Sequence, residues 1–318
     1  MRSFIKKLVE KNLLLINSIY DYLQFKKFYK PLEKNQRGEA SLAYWILQDK
    51  HRIEKALSLP EPREGFGEAV IRRLASNLSL YGKRDKAYNL GVYALKLYKS
   101  YHEENNYRLP EWFEAACLNV DLEDVDHDYS DLVGLHSHQP VVINLEMYGQ
   151  LIKSRSSCRN YNTEKMIDNQ TIHSVIEEAI RTPSVCNRQH WKARIFTGKV
   201  KEDILKLQNG NAGFGDTAPY LALITSDLSA FYTENERNQP YTDGGMFAMS
   251  FIYSLHARGI ASCPLNWCTS YFSERHFRKL DIIPSSEVVV MAIVFGFAQE
   301  GALYANSPRF DASKFYSM

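Results

Sequence analysis

The sequence lacks the cysteine pattern of a disulfide framework or a zinc site. Its five cysteines, at positions 117, 158, 186, 263 and 268, include no CxxC pair. An odd set without close pairs is typical of free thiols in a reducing compartment. Long apolar runs are also missing, because the run Leu13–Ile16 is too short to cross a bilayer or to form the core of a signal peptide. We therefore expect a cytoplasmic protein.

The sequence also has little net charge and no internal repeat. Its formal net charge is +2, which is too small to indicate nucleic acid as a partner. Hydrophobic residues make up 45% of the chain and charged residues 24%, as in ordinary globular proteins. A chain of 318 residues is long enough for two compact domains.

The N-terminal segment "MRSFIKKLVEKNLLLINSIYDYLQFKKFYK" has the spacing of an amphipathic helix. Its lysines leave two interpretations open, a weak contact with a membrane surface or a helix that packs on its own protein with its lysines in water. The second is the more common use of such a helix and is the one we favour. The apolar residues of the predicted face are Phe4, Ile5, Leu8, Leu15 and Ile16, and the lysines are Lys6, Lys7, Lys11, Lys26, Lys27 and Lys30.

The first 140 residues read as a mostly helical region. "SLAYWILQDKHRIEKAL" has helical spacing and is followed by Pro60 and Pro62, which end a helix. "GEAVIRRLASNLSLYG" and "DKAYNLGVYALKLYKSYHEEN" predict two more helices. The polar stretch "EDVDHDYSDLVGLHSHQP" then breaks the apolar periodicity and indicates a linker. We therefore divide the chain into a helical region, 1–140, and a second domain, 141–318.

The linker combines three histidines with four aspartates, and imidazole and carboxylate groups are both metal ligands. A metal site needs a rigid arrangement that a loop seldom gives, so the interpretation as a solvated linker is preferred and no metal is predicted. The residues concerned are His127, His136, His138, Asp124, Asp126, Asp128 and Asp131.

From about residue 145 the predicted elements alternate between helices and strands. "HWKARIFTG", "YLALITSD" and "EVVVMAIVFGFA" predict strands, and "NQTIHSVIEEAIRT", "VKEDILKLQN" and "SERHFRKLD" predict helices. Asp168 or Asn169 is a candidate N-cap. "TDGGMFAMSFIYSLHARG" predicts a long, central apolar helix closed by Gly259. This alternation indicates an α+β fold with a sheet flanked by helices.

The stretch "SRSSCRNY" places Arg155 and Arg159 four residues apart around Ser156, Ser157 and Cys158. Two fixed guanidinium charges with hydroxyls between them suit a bound anion, because arginine gives charge-assisted, bidentate hydrogen bonds. The alternative is a polar turn that enters a helix.

Three further stretches contain candidate binding residues. "TPSVCNRQHW" places the amides of Asn187 and Gln189 in a loop after Pro183 and Ser184, and an amide can donate and accept at once, as the edge of a heteroaromatic ring requires. "GIASCPLNW" follows the central helix, where a tight turn could direct backbone N–H groups toward a flat ligand. "SPRF" near the end contributes Arg309.

The order of these motifs resembles the FMN-dependent nitroreductase family, over roughly residues 145–310. The first two motifs are the most specific part of the resemblance. It implies a nitroreductase-like mixed sheet flanked by helices, and a domain-swapped homodimer with two FMN molecules in shared active sites at its interface.

The resemblance also implies a role for each motif. Arg155, Ser156 and Ser157 would hold the FMN phosphate and ribityl chain, and Arg159 would lie by the pyrimidine side of the ring. The second loop would reach the flavin of the partner subunit, the loop after the central helix would approach the reactive edge of the ring, and a late arginine would close on the phosphate. These residues are Pro183, Ser184, Asn187 and Gln189, then Pro264, Leu265 and Asn266, then Arg309.

Two departures from the family pattern stand out. Ser156 stands where the family usually has a second arginine, which leaves one charge fewer at the phosphate. "QNGNAGFGD" lies where family members often contact the ring, and its glycines are not a dinucleotide fingerprint because they follow a helix. The helical region 1–140 lies outside the family core.

The resemblance implies an oxidoreductase in which NAD(P)H reduces FMN and FMN then reduces a second small molecule. The sequence contains no acid, base or nucleophile motif, and the flavin N5 is expected to carry the hydride. Two alternatives stay open. The first is a flavin-binding interaction or sensor module without NAD(P)H turnover. The second is a dedicated flavin dehydrogenase on a cell-surface polysaccharide precursor, suggested by the similarity of "HRIEKALSLPEPREGFG" to a segment of some bacterial proteins.

Overall fold

The computed structural model describes residues 11–29 and 38–318. Helix α1, Leu13–Phe28, is the described part of the predicted N-terminal helix. The remaining residues of that prediction, Phe4, Ile5, Lys6, Lys7, Leu8 and Lys30, lie outside the described residues.

In the described residues up to 140, four helices follow α1, so the prediction of a mostly helical N-terminal region is confirmed. Asp85 begins α4 by accepting hydrogen bonds from the backbone N–H groups of Ala87 and Tyr88. The helices bury one apolar core that includes Ile46, Leu74 and Leu95. The helices are α2, Glu39–Leu57; α3, Glu68–Leu80; α4, Lys86–Glu104; and α5, Glu111–Cys117, which the sequence patterns missed.

The first half of the predicted linker, up to Gly134, is held against the helices by hydrogen bonds, whereas residues 135–140 are exposed. It contains a short 3-10 turn, His127–Leu132. Its backbone N–H at Asp126 donates to Asn89 and that at Gly134 donates to Glu54. Among the described residues, no group of His, Cys, Asp and Glu side chains is placed to hold a metal ion.

The C-terminal part folds around one antiparallel sheet of four described strands in the order β1-β2-β4-β3. The strands are β1, Trp191–Phe196; β2, Tyr220–Asp227; β3, Ala261–Leu265; and β4, Glu287–Gly296. The helices are α6, Leu145–Ser154; α7, Asn169–Ala179; α8, Gly198–Leu205; α9, Gln239–Ala257; and α10, Tyr271–Arg278. The α+β class is confirmed, and the predicted cap Asp168 accepts a hydrogen bond from the N–H of Thr171.

Successive side chains of a strand point to opposite faces of the sheet, and helices cover both faces. Ala222 and Ile224 of β2 pack with Phe251 of α9 and with α7, whereas Leu221 and Leu223 pack with α8 and α10. Central helix α9 approaches the sheet closely at Gly244, where a Cβ atom would lie 2.5 Å from Val290 Cγ2. The glycine is therefore required by packing.

The N-terminal helices dock on the C-terminal part. In α2, the Tyr44 hydroxyl donates to Asp227 Oδ2 at 3.2 Å and Arg52 donates to the Tyr232 hydroxyl at 3.1 Å. In α1, Asn17 accepts from the N–H of Tyr271 and Gln24 donates to the carbonyl of Ser285. For the described part of the N-terminal helix, these contacts favour packing on its own protein.

None of the described helices is long and apolar enough to cross a membrane.

Candidate functional site

The arginine motif is an extended segment at the β3 edge of the sheet. It follows α6, and Ser157 forms a parallel bridge with Ser262 of β3. The N–H of Cys158 donates to the carbonyl of Ser262 at 3.0 Å, and Tyr161 bridges to Ala298 further on. The alternative of a polar turn entering a helix is wrong, because the segment leaves a helix and pairs with a strand.

The two arginines of this segment lie near one another around β3. Burial raises the pKa of the Cys263 thiol, while Arg159, the Ser157 hydroxyl and Arg155 all oppose that rise. Arg155 also adds to the effect of burial in lowering the pKa of His256 at the end of α9. Both positive charges therefore act on the same thiol.

The side chains of the segment are accessible to a ligand. Arg155, Ser156 and Ser157 are half-buried and Arg159 is exposed. The Arg159 guanidinium lies 5.9 Å from the centre of the Phe214 ring, within the range of a cation–π contact. Guanidinium and hydroxyl donors on one edge form a suitable set for an anion.

The stretch "GIASCPLNW" contains strand β3, which our reading as a tight turn missed. Pro264 lies in the strand opposite Ile293. Proline has no backbone N–H to donate. It is tolerated there because β3 lies at an edge of the four strands, where Pro264 does not have to donate to a second strand. The strand ends at Leu265, so the exposed Asn266 follows at the end of the sheet.

The loop 208–216 lies beside the end of β3. Gln208 donates to the carbonyl of Asn266 at 3.0 Å, and its own Oε1 accepts from the N–H of Gly210 at 2.7 Å. Phe214 of the same loop lies next to Arg159. The structure therefore brings together the arginine segment, the end of β3 and the loop 208–216.

The loop 183–189 has a constrained backbone. Cys186, Asn187 and Gln189 have φ values of 48°, 54° and 53°, in the left-handed region that few side chains adopt. The Ser184 hydroxyl accepts from the N–H of Gln189 at 2.9 Å, and the Gln189 amide donates to the carbonyl of Asn187 at 3.3 Å. Pro183 and Gln189 are exposed, and Ser184 and Asn187 are half-buried.

A buried polar cluster holds this loop, and sequence reasoning did not find it. Asp243 Oδ2 accepts from the N–H of Val185 at 2.8 Å and pairs with His190 Nε2 at 2.8 Å, while His190 Nδ1 lies 2.7 Å from the Ser226 hydroxyl. Burial favours a raised pKa for Asp243, but its hydrogen bonds to His190, Val185 and Gln239 outweigh burial and lower the pKa. These groups position the loop, and because they are buried a substrate cannot reach them.

The loop 183–189 and the arginine segment lie at opposite edges of the sheet. The loop precedes β1 and the arginine segment pairs with β3, and these are the two outer strands. Three strand spacings separate them by roughly 14 Å across the sheet. One chain therefore does not bring the two motifs to one point.

Arg309 lies in an exposed C-terminal arm that follows β4. Its guanidinium donates a hydrogen bond to the carbonyl of Ser307 in its own turn. The structure does not place it with the arginine segment of the same chain.

The sequence matches the family model described as "Nitroreductase family" over residues 152–211 and 199–297. YodC of Bacillus subtilis strain 168, which carries the name of an NAD(P)H nitroreductase, is 22% identical over 190 residues, covering 49% of this chain and 92% of the relative.

Among solved structures, the fold is similar to that of ydfN of Bacillus subtilis, named a nitroreductase, with 18% identity, a TM-score of 0.49, and coverage of 55% of this chain and 100% of that one. It is also similar to the FMN-dependent nitroreductase NfnB of Mycobacterium smegmatis in complex with NADPH. That match has 19% identity, a TM-score of 0.43, and coverage of 55% of this chain and 99% of NfnB. On the family match, the C-terminal part of this chain, residues 152–297, carries a domain of the nitroreductase family.

Proposed function

We propose that this protein is an FMN-dependent oxidoreductase in which NAD(P)H reduces the flavin and the flavin reduces a small-molecule acceptor. The observation that supports this most is the pairing of the arginine segment with β3. The bridge between Ser157 and Ser262 joins the candidate phosphate-binding residues to strand β3, which ends with Pro264 and Leu265 and is followed by Asn266. Candidate contacts for the two ends of FMN thus lie on adjacent segments of the chain.

The donor groups fit the chemistry of FMN. A phosphate dianion suits the guanidinium of Arg155 with the hydroxyls of Ser156 and Ser157. Arg159 supplies a positive charge for the pyrimidine side of the ring, where negative charge appears on reduction. The nearby Phe214 ring and the Asn266 amide offer an apolar face and a bifunctional edge.

We further propose that two copies of the chain share each site. The loop with Pro183, Ser184, Asn187 and Gln189 would serve the flavin bound by the partner's arginine segment, because it lies at the far edge of its own sheet. Arg309, in the exposed arm, is available to close on the phosphate from either chain. A two-fold dimer with reciprocal contacts meets this requirement.

Bound FMN would supply the hydride chemistry at N5, and the protein would supply binding, orientation and charge. The backbone of the loop 183–189 is held in place by Asp243, so its side chains would meet the ring with little loss of conformational entropy. The electron donor is proposed as NAD(P)H because the relative YodC is named for it. No side chain is assigned a proton-transfer role.

We also propose the division of the chain into a helical region, 1–140, and an FMN-binding domain, 141–318. The helical region has its own apolar core, which supports the division. The free cysteines at 117, 158, 186, 263 and 268 suit work in the cytoplasm.

The test is the FMN content of the purified protein, measured by absorbance before and after adding FMN and removing the excess. We expect one flavin per chain. A colourless protein that does not take up FMN would contradict the proposal. A protein that binds FMN but is not reduced by NADPH or NADH would instead support a binding module.

A further inference from the structure

A large cavity lies between helix α1 and the C-terminal domain. Its volume is about 1130 Å³, slightly above the range of about 300–1,000 Å³ that is usual for small-molecule sites. Its walls come from α1, from the start of α9, from α10 and from β4. Asn266, which follows β3, also lines it, so the cavity adjoins the proposed FMN site.

The wall supplied by α1 lies outside the matched family domain. The family match begins at residue 152, whereas α1 contributes Asn17, Tyr20, Asp21 and Gln24 among other lining residues. The helix is fixed to the domain by the hydrogen bond from the N–H of Tyr271 to Asn17 at 2.9 Å. The cavity is therefore a feature that this chain adds to the family domain.

Two carboxylates that line the cavity, Glu274 and Asp21, differ in the hydrogen bonds that they accept. Glu274 accepts from Arg278 at 2.9 Å, from the indole N–H of Trp267 at 3.0 Å and from the Thr269 hydroxyl at 3.3 Å. By contrast, none of the described residues donates a hydrogen bond to the Asp21 carboxylate. The Asp21 side chain is exposed, but partial shielding by the protein around it raises its pKa, and Glu274 raises it further.

Three positive charges, Lys26, Arg237 and Arg278, also line the cavity, and none of these described side chains forms an ion pair with Asp21. Arg278 is held by Glu274 and by the carbonyl of Glu287 at 2.8 Å, and Lys26 lies 5.5 Å from the ring of Tyr22. Among the described charges, Glu274 is the one that shifts the pKa of Asp21.

Three tyrosines, Tyr20, Tyr241 and Tyr271, line the same cavity as this carboxylate. Tyr20 and Tyr271 meet edge to face with their centroids 5.4 Å apart. Burial raises the pKa of the Tyr241 hydroxyl to about 12, and Asp21 and Glu274 add to that rise. A carboxylate among tyrosines resembles the surroundings that bind organic ammonium ions, through an ion pair and cation–π contacts.

We propose that this cavity binds an organic ammonium ion carried on an aromatic or similarly flat body, with its cation on Asp21 and its body against Tyr20, Tyr241 and Tyr271. That this ligand is the second substrate rests on the proposed function, through the shared residue Asn266. The binding site itself stands on the cavity, the carboxylate and the rings.

The test is isothermal titration calorimetry on the purified full-length protein, without nicotinamide. The three probes are tyramine, 4-ethylphenol and 3-(4-hydroxyphenyl)propionate, which share a phenol ring and carry a positive, a neutral and a negative group. We expect tyramine to bind about tenfold or more tightly than either of the others. Equal binding of the three probes, or no binding of tyramine, would overturn the proposal.

The Asp21→Asn variant tests whether the Asp21 carboxylate binds the cation. It keeps the shape of the side chain, so we expect tyramine to lose about tenfold or more in affinity while 4-ethylphenol is unaffected. Asp131→Asn, in the segment before α6, is the matched control and should leave both affinities unchanged. Undiminished tyramine binding in a folded Asp21→Asn protein would contradict the assignment.

The FMN content is measured on the same samples, so the two proposals fail separately. A protein that binds tyramine through Asp21 but takes up no FMN keeps the cavity site and loses the proposed function. A flavin-loaded protein that does not prefer tyramine keeps the function and loses this inference.

Discussion

Ser157 and Ser262 lie opposite one another in a parallel bridge, and the N–H of Cys158 donates to the carbonyl of Ser262 at 3.0 Å. This pairing fixes the position of the arginine segment relative to β3. It is the relationship on which the proposed FMN site depends, because Arg155 precedes the bridge and Pro264 to Asn266 follow it.

Replacing Arg155 with alanine should weaken FMN binding. The phosphate would lose a charge-assisted hydrogen bond, which is worth roughly 1.5–3 kcal/mol, or about 10–150-fold in Kd. The Kd is measured by quenching of FMN fluorescence on titration with flavin-free protein. The control is Arg108→Ala, which removes an exposed arginine paired with Glu111 in the helical region. A folded Arg155→Ala protein with unchanged affinity would show that this arginine has another role.

Mixing two inactive variants should restore activity if the site is shared. In a dimer of one Arg155→Ala chain and one Asn187→Ala chain, one site carries both changes and the other carries neither. Random pairing then gives about a quarter of the wild-type number of intact sites. NAD(P)H oxidation with a quinone acceptor is measured after the two proteins are unfolded and refolded together.

The control for this mixing experiment is Asn187→Gly. Asn187 has a φ of 54°, so alanine adds backbone strain that glycine avoids. If the amide contacts the flavin, both substitutions reduce activity. Activity retained by the glycine variant alone would assign the effect to strain, and a mixture as inactive as its components would contradict a shared site.

The hydrogen bond from the Tyr44 hydroxyl to Asp227 should stabilise the docking of α2 on the C-terminal part. Tyr44 donates to the buried Asp227 carboxylate, so Tyr44→Phe should lower the free energy of unfolding by about 1 kcal/mol. Urea unfolding followed by circular dichroism measures the change. Tyr148→Phe, at an exposed position in α6, is the control, and equal stability of the two variants would mean that this contact contributes nothing.

The ion pair between Glu178 and Arg258 predicts a pH-dependent contribution to stability. Hydrogen bonds from Arg258 and Ser254 lower the pKa of Glu178 to about 2. A depressed carboxyl pKa stabilises the folded state above the ordinary pKa of 4.5, and this contribution is lost as the pH falls toward 2. The pair is partly exposed, so solvent screening limits its worth to about 1 kcal/mol or less.

Glu178→Gln should therefore be less stable than the wild type at pH 7, with a smaller difference at pH 3. Urea unfolding at both pH values measures this difference. Glu177→Gln is the control at the adjacent position, where the carboxylate pairs with exposed His173. A difference for Glu178→Gln that does not shrink at pH 3 would show that protonation of Glu178 is not its cause.

The sequence predicted those elements whose signals are local. The periodicity of α9 and the apolar alternation of β2 and β4 are visible over many residues. Strand β3 was missed because it has only five residues and contains Pro264. Proline is unusual in a strand, but it is tolerated here because β3 lies at an edge of the four strands. Helix α5, of seven residues, and helix α6, of ten, were missed too.

Contacts between distant residues could not be read from the sequence. The anchoring of Val185 by Asp243 joins residues 58 positions apart, and no local pattern reveals which of the two stretches contacts the other. The docking of α1 at Tyr271 depends on a hydrogen bond across 254 positions. The candidate binding residues, in contrast, were found from a motif order that resembles a family, and their roles stay predictions.

The most direct test of the central claim is the visible absorption spectrum of the purified protein before and after adding NADPH without oxygen. The account predicts an oxidised flavin spectrum that bleaches on addition of NADPH and returns when a quinone is added. A flavin that stays oxidised with both NADPH and NADH would contradict the proposed oxidoreductase, and a protein that takes up no FMN at all would contradict the flavin site itself.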